Sequence, residues 1–117
     1  MKMFLLLNIL TVHALAAPQI DSFFIKVDDR KIEVNAPKKR TTIFSVIVEN
    51  KSLTDQVAKF VAGSETLKFI NVPSGKTESI ELFNKTNKNV FFVPVSPAFQ
   101  EIELVFGKKA YEIPSKE

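Results

Sequence analysis

Few residues of this chain have types and spacing that suit chemistry, and Gly75-Lys76-Thr77 is the first such group. It matches the end of a phosphate-binding loop, in which backbone N–H groups and a lysine hold phosphates. That loop needs another glycine five positions before Gly75, where this chain has Ile70, and a helix after it. The residues that follow instead alternate with the period of a strand. We therefore interpret Val72 to Thr77 as a structural turn.

Two carboxylates, Glu101 and Glu103, are two positions apart and share one face of a predicted strand. Their neighbours Ile102 and Leu104 point to the other face, which favours a solvated strand edge over paired acid–base catalysis. An enzyme that used these carboxylates with Lys59 would need a deep pocket lined by them. A serine nucleophile would need an adjacent base, and no local motif supplies one. We therefore predict no catalytic residues and no enzymatic activity.

Soft metal ligands are confined to the N-terminal segment, which holds His13, Met1 and Met3, and the chain has no Cys and no Trp. Zinc and copper sites in proteins use imidazole, thiolate or thioether groups. No short run clusters Asp and Glu as a calcium-binding loop does. The sequence therefore predicts neither a metal site nor a cofactor.

The N-terminal segment has the pattern of an export signal. Lys2 is followed by the apolar run Met3 to Leu15, and Ala14-Leu15-Ala16 provides small residues for cleavage. A bilayer span needs about 20 apolar residues, so the run is short for a permanent anchor. We predict a signal peptide over residues 1–16 and one domain over residues 17–117, with no transmembrane segment after cleavage and a periplasmic or secreted location. The alternative is a buried N-terminal helix.

The charge pattern argues against nucleic acid as a partner. The formal net charge is +3, and loss of Lys2 with the signal would lower it to +2, spread evenly along the chain. Lys38, Lys39 and Arg40 form one basic loop, which is either a surface patch for an anionic partner or lipid headgroup, or a solvated turn. Asn50-Lys51-Ser52 and Asn84-Lys85-Thr86 match the N-glycosylation acceptor pattern, which matters only in a eukaryotic host.

The elements that would position these residues read as strands throughout. Phe23, Ile25 and Val27 alternate with Phe24 and Lys26, and eight or nine short segments with strand character are separated by turns. Without cysteines the fold depends on its apolar core, to which 11 Phe contribute large side chains. The pattern predicts an all-β fold, a single Greek-key β-sandwich.

Three details of that interpretation concern particular strands. Thr41 to Glu49 is apolar almost throughout, which predicts burial on both faces. We expect Leu67 and Phe69 to share one face of a strand over Thr66 to Val72. We also expect the Phe-rich strand over Val90 to Val95 to be ended by Pro94 and Pro97.

The order of strands and turns resembles the small cupredoxin-like domains of bacterial periplasmic iron-uptake and copper-handling proteins. The matching segments run over most of the predicted domain and are mainly turn and core positions. They are Ile32-Glu33-Val34-Asn35-Ala36-Pro37, Val48-Glu49-Asn50, Lys59-Phe60, Val72-Pro73-Ser74-Gly75-Lys76-Thr77 and Phe91-Phe92-Val93-Pro94-Val95-Ser96-Pro97. The resemblance implies a cupredoxin-like sandwich and an exported location.

The chain departs from the family where metal chemistry is implied. Lys59 stands where the family has an acidic residue, and Ser96 stands where it has a histidine. A copper site of the cupredoxin type needs two imidazoles and a thiolate. The resemblance therefore implies the fold without electron transfer, and we expect a binding or accessory module with a protein partner. A permease or peroxidase gene alongside would favour a role as a metal-uptake accessory. An immunoglobulin-like adhesion or assembly module is the alternative, and strand topology distinguishes the two.

Overall fold

The structure is a computed structural model that describes residues 22–114. Those residues form nine strands, whose bounds are β1 Ser22–Val27, β2 Lys31–Asn35, β3 Ile43–Asn50, β4 Gln56–Ala62, β5 Glu65–Val72, β6 Thr77–Phe83, β7 Val90–Ser96, β8 Ile102–Leu104 and β9 Tyr111–Pro114. The predicted signal peptide, residues 1–16, lies outside the described residues. No helix long and apolar enough to cross a membrane occurs between residues 22 and 114.

The strands form two sheets that pack as a sandwich, so the prediction of an all-β sandwich is confirmed. One sheet has five strands in the order β6-β3-β1-β2-β9, and the other has four in the order β5-β4-β7-β8. β1 runs parallel to β3, with Phe23 opposite Val46 and Ile25 opposite Val48. The other strand pairs described are antiparallel.

Apolar residues at every second position build the core between the sheets. The predicted inward residues Phe23, Ile25 and Val27 are at most 4% exposed. Phe23, Phe44 and Phe106 form an edge-to-face cluster with ring centroids 4.9–5.4 Å apart. Phe60 and Phe92, from the other sheet, lie 5.3 Å apart. Such aromatic pairs contribute about 0.5–1.5 kcal/mol each beyond the burial of their apolar area.

β3 corrects the expectation that its segment is buried on both faces. Phe44, Val46 and Val48 are buried against the second sheet, whereas Ile43 is 52% exposed. Ser45 and Ile47, on the same outer side as Ile43, are half-buried. β3 is central in its sheet, which fits its β-branched composition, but only one of its faces belongs to the core.

β5 corrects the expectation that Leu67 and Phe69 share a face. The register between β4 and β5 shifts between Phe60 and Val61, where Lys68 pairs with Phe60 and Thr66 with Val61. Leu67 is thus left without a partner in β4 and packs against the core. Phe69 is 65% exposed, and Ile70 and Val72 are the buried residues of β5. A bulge of this kind breaks the simple alternation of the strand.

β7 corrects the expectation that Pro94 ends its strand, because the strand continues to Ser96. Pro94 is buried and pairs with Ala58 of β4. On its other side β7 pairs with β8 only from Val90 to Phe92. A proline lacks the N–H that a ladder needs, and Pro94 lies beyond the part of β7 that has a neighbour on both sides.

Candidate functional site

The outer surface of the four-stranded sheet is unusually apolar for the outside of a sandwich. Six side chains from β4, β5 and β7 form it, and we call this surface the β4–β7 face: Val57, Lys59, Val61, Phe69, Phe91 and Val93. Five of them are half-buried, and Phe69 is 65% exposed. An antiparallel sheet with one wet side normally carries polar residues there. Exposed apolar patches larger than a few hundred Å² are rare on monomeric proteins, and protein interaction sites are one of their known uses.

The strand register places Lys59 in the middle of this face. Lys59 lies directly opposite Phe69 of β5 and Val93 of β7. Val57 and Val61, two positions away along β4, lie on the same side of the sheet. Cross-strand neighbours of this kind have Cβ atoms about 4.5–5.5 Å apart, so apolar groups surround the lysine stem.

Lys59 makes no ion pair with any residue in the described range. By contrast, Nζ of Lys31 lies 3.2 Å from Glu112 and 3.5 Å from Glu33. The carboxylates beside Lys31, its hydrogen bond with Glu112 above all, raise the pKa of its ammonium group. Lys59 is thus a half-buried cation that has no carboxylate beside it.

The outer surface of the five-stranded sheet faces solvent with a mixture of charged, hydroxyl and apolar side chains. Lys26 lies opposite Glu49 there, and Ser45 lies opposite Glu81. Two phenylalanines are exposed on this side: Phe24 is 43% exposed and lies opposite Ile47, and Phe83 is 54% exposed and lies opposite Ile43. Opposite charges and hydroxyls alternate with apolar residues on this side, which is the composition expected of a solvated sheet.

Ser96 lies at the end of β7 and is exposed. It pairs with Val57. The topology therefore brings Lys59 and Ser96, the two positions that depart from the pattern of the resembling family, to neighbouring places on two adjacent strands. Nε2 of Gln56 donates to the Ser96 carbonyl over 3.3 Å and to the Val57 carbonyl over 2.9 Å. An amine and a hydroxyl at these positions do not form the imidazole–thiolate set of a cupredoxin-type copper site.

A polar cavity of about 180 Å³ opens at the same end of the sandwich. It lies between the β1–β2 turn, the β3–β4 loop and the β7–β8 loop, and its lining includes Asp28, Asp29, Ser52, Gln56 and Phe99. Oδ1 of Asp29 is engaged, since it accepts from the Leu53 N–H over 3.1 Å. No group of three or more His, Cys, Asp or Glu residues that could hold a metal occurs among residues 22–114.

Asn50 closes β3 with a fully used amide. Its Nδ2 donates to the carbonyls of Thr54 over 2.9 Å and Val72 over 2.8 Å. Its Oδ1 accepts from the Ser52 N–H over 2.9 Å and from the Ser52 hydroxyl over 2.6 Å. The side chain is 0% exposed, so these bonds replace water for a buried polar group. These hydrogen bonds therefore give a structural role to Asn50, the last residue of the Val48-Glu49-Asn50 segment that contributes to the resemblance.

Asn84 repeats this arrangement at the surface. Its Nδ2 donates to the Lys88 carbonyl over 2.9 Å, and its Oδ1 accepts from the Thr86 N–H over 3.0 Å and hydroxyl over 2.7 Å. Both segments that match the glycosylation pattern thus use Asn and Ser or Thr to shape a loop. Asn50 is buried and Asn84 is half-buried, so solvent reaches the Asn84 residue but not Asn50.

Gly75-Lys76-Thr77 belongs to the turn between β5 and β6, and the interpretation of this segment as a structural turn is confirmed. Gly75 has a φ of 78°, the left-handed region that glycine adopts without strain. Its N–H donates to the Asn50 carbonyl over 2.8 Å, and the Ser74 N–H donates to Asp55 over 2.9 Å. A strand follows, so no helix N-terminus faces this turn.

The carboxylates and the basic loop lie apart from Lys59. Glu103 is half-buried on the outer side of β8, where its Oε2 accepts from the Asn89 amide over 2.5 Å, and Glu101 is exposed just before that strand. Lys38, Lys39 and Arg40 are all exposed between β2 and β3. The Arg40 guanidinium lies 5.8 Å from the Phe106 ring centroid, a cation–π contact that anchors this end of the loop.

Tyr111 closes the open side of the sandwich. Its hydroxyl donates to the Glu103 carbonyl over 2.6 Å, which ties β9 of one sheet to β8 of the other. Partial burial raises the pKa of this phenol, and the charge of Glu103 raises it further.

Sequence reasoning missed the β4–β7 face. Its signal is present in the chain, because the stretch Val90 to Val95 is apolar at both inward and outward positions. Composition alone does not say which of two apolar faces is left outside.

No protein-family model, curated protein or solved structure matches this chain.

Proposed function

We propose that this protein is an exported cupredoxin-like β-sandwich without a competent copper site, and that it acts as a non-enzymatic binding module. Its partner in this proposal is a protein surface that is apolar and carries one carboxylate opposite Lys59. A link to metal uptake, as an accessory component, follows from the resemblance alone.

The strand topology supports the cupredoxin-like part of the proposal. β1 and β3 pair in parallel over the full length of β1, from Ser22 opposite Ser45 to Val27 opposite Asn50. A parallel pairing of first and third strands is the feature that favours a cupredoxin-like order over an immunoglobulin-like one.

The donor set supports the absence of copper chemistry. Lys59 has an outward-facing ammonium group, which is cationic and carries no lone pair for a metal. Ser96 offers a hydroxyl, a hard oxygen that does not replace imidazole or thiolate in a copper site. The residues present therefore do not fit the group that the resemblance implies, and no step of the proposed function involves it.

The β4–β7 face carries the binding part of the proposal. Lys59 is half-buried among apolar side chains, and its ammonium group stays hydrated only while the face is open to solvent. A partner that covered the face with apolar groups alone would leave this charge buried and unpaired, at a cost of several kcal/mol. The partner must therefore supply a carboxylate, and that requirement gives the face its specificity.

Site-specific photo-crosslinking in the native host tests this proposal. A benzophenone amino acid replaces Phe69 on the β4–β7 face or, as a matched control, Phe24, an exposed phenylalanine on the other sheet. We expect a covalent protein adduct from position 69 and none from position 24. Equal adducts from both positions, lipid adducts, adducts to residues 1–21 of the chain itself, or no adduct from position 69 would overturn the proposal.

A further inference from the structure

We infer that the partner of the β4–β7 face is a second copy of this chain, held by two reciprocal ion pairs between Lys59 of one copy and Glu103 of the other. This inference rests on the proposed function, since it assigns the carboxylate that the face requires.

The two charges lie on the same side of the same sheet. Val61 of β4 pairs with Phe91 of β7, and Phe91 pairs with Glu103 of β8. Lys59 is two positions from Val61 along β4 and therefore shares its side. Glu103 thus belongs to the outer surface that carries Lys59, with Phe91 between them.

Lys59 and Glu103 form no ion pair within one copy. Across the sheet, β4 and β8 are two strand positions apart, about 10 Å. Along the strands, Lys59 lies two residues, about 7 Å, from Val61, which is level with Phe91 and Glu103. The described residues place no other cation in an ion pair with Glu103. One cation and one anion therefore lie on one face, each without an ionic partner.

This arrangement is self-complementary under a two-fold rotation. A two-fold axis that lies in the plane between two facing copies, midway between Lys59 and Glu103 and perpendicular to the line joining them, places each Lys59 over the Glu103 of the other copy. An isologous interface needs this property, since every contact occurs twice. The axis passes near Phe91, so the aromatic and valine side chains meet at the centre.

The small size of the four-stranded sheet, whose outer side carries both the β4–β7 face and Glu103, sets the expected strength of the dimer. Four strands spaced about 4.8 Å apart form a surface only about 20 Å wide. Such a contact falls below about 1,200 Å² of total buried area, the range of weak and transient interfaces. We therefore expect a dimer with a dissociation constant in the micromolar range or weaker.

Charge reversal and charge exchange test the inference by sedimentation equilibrium on protein purified after expression of the full chain. We expect the wild type to form a dimer, and K59E or E103K to raise its dissociation constant at least about tenfold, because each places two like-charge pairs in the interface. The double variant K59E/E103K restores the opposite pairing and should return within about threefold of the wild type. K39E, which makes the same charge change on an exposed loop, should leave the constant unchanged.

Circular dichroism of each variant confirms that it is folded, and Phe69→Ser provides a second disruption that leaves both charges in place. A monomer at millimolar concentration, a dimer insensitive to K59E, or a double variant that stays as weak as the single ones would overturn the inference. If the wild type is monomeric but position 69 still crosslinks to another protein, the proposed function stands and the self-association fails. If a dimer forms yet position 69 gives no adduct, both fail.

Discussion

The Ser52 hydroxyl donates to Oδ1 of Asn50 over 2.6 Å, and this contact holds the β3–β4 loop against the end of β3. Asn50 in turn donates to Val72 of β5, so a single buried amide joins a strand of one sheet to a strand of the other. The Asn50 backbone adds two bonds to the β5–β6 turn, through the Lys76 carbonyl and the Gly75 N–H. The segment that resembles a metal-protein motif is thus a junction of the scaffold.

Asn50→Ala should destabilise the protein by about 3 kcal/mol, because it removes four side-chain hydrogen bonds and leaves buried partners unsatisfied. Urea unfolding monitored by circular dichroism measures this change. Asn84→Ala is the comparison variant, since it removes three side-chain hydrogen bonds of the same kind from a half-buried residue, and we expect about 1 kcal/mol. Equal losses from both variants would show that the burial of Asn50 carries no extra cost.

Phe60→Ala should cost about 3–5 kcal/mol, because Phe60 is 0% exposed and its removal leaves a cavity beside Phe92. Phe69→Ala removes the same atoms from a side chain that is 65% exposed, and we expect a change below about 0.5 kcal/mol. Denaturant midpoints of the two variants test this difference. A large loss from Phe69→Ala would mean that the ring supports the fold and would weaken its assignment to a binding surface.

Tyr111 is the chain's single tyrosine, and the chain has no tryptophan, so its ionisation can be followed by the near-ultraviolet absorbance of tyrosinate without interference. Burial raises the pKa of the Tyr111 phenol above its ordinary value of 10.0, with Glu103 adding to the shift. We expect a titration midpoint above 10.0 in the folded protein and an ordinary one in urea.

The same shift predicts how stability depends on pH. Between the unfolded and the folded pKa of Tyr111, the folded protein holds more protons than the unfolded one. The contribution of the neutral Tyr111 phenol to the free energy of unfolding is therefore complete below about pH 10 and is lost as the pH rises through the folded pKa. Tyr111→Phe should remove this part of the decrease in stability at alkaline pH. Parallel stability curves for the two proteins above pH 10 would contradict the assignment.

Addition of Cu(II) to the purified protein should produce no intense visible charge-transfer band and no stoichiometric binding. The reason is the donor set, in which Lys59 and Ser96 stand at the positions where the resemblance implies metal chemistry. Isothermal calorimetry and absorbance measure both effects, and a variant with Ser96→His tests whether one imidazole restores weak binding. A tight one-to-one complex with the wild type would exclude the proposed loss of copper chemistry.

The sequence was sufficient to predict the layers of the fold but not its registers. Phe23, Ile25 and Val27 alternate as expected, because the core takes every second residue of a strand. Leu67 and Pro94 departed from the expected pattern because each depends on a partner strand. A bulge or a missing neighbour is a tertiary property that local periodicity does not carry.

The candidate site was harder to predict for the same reason. Phe91 and Val93 look like core residues in the sequence, since an apolar run does not reveal which side faces the second sheet. In the sequence Lys59 is only a departure from a motif, and its register opposite Phe69 and Val93 shows that it lies alone among apolar neighbours. Pairing between strands distant in sequence created the surface.

An amide chemical-shift footprint shows whether the β4–β7 face is the binding surface of this protein. Isotope-labelled protein is observed by NMR while its own concentration is raised, and again while the partner recovered by crosslinking is added. We expect the shifts to concentrate on β4, on β5 around Phe69, and on β7 and β8 from Phe91 to Glu103. Shifts confined to the five-stranded sheet, or to the cavity end around Asp28 and Gln56, would contradict it.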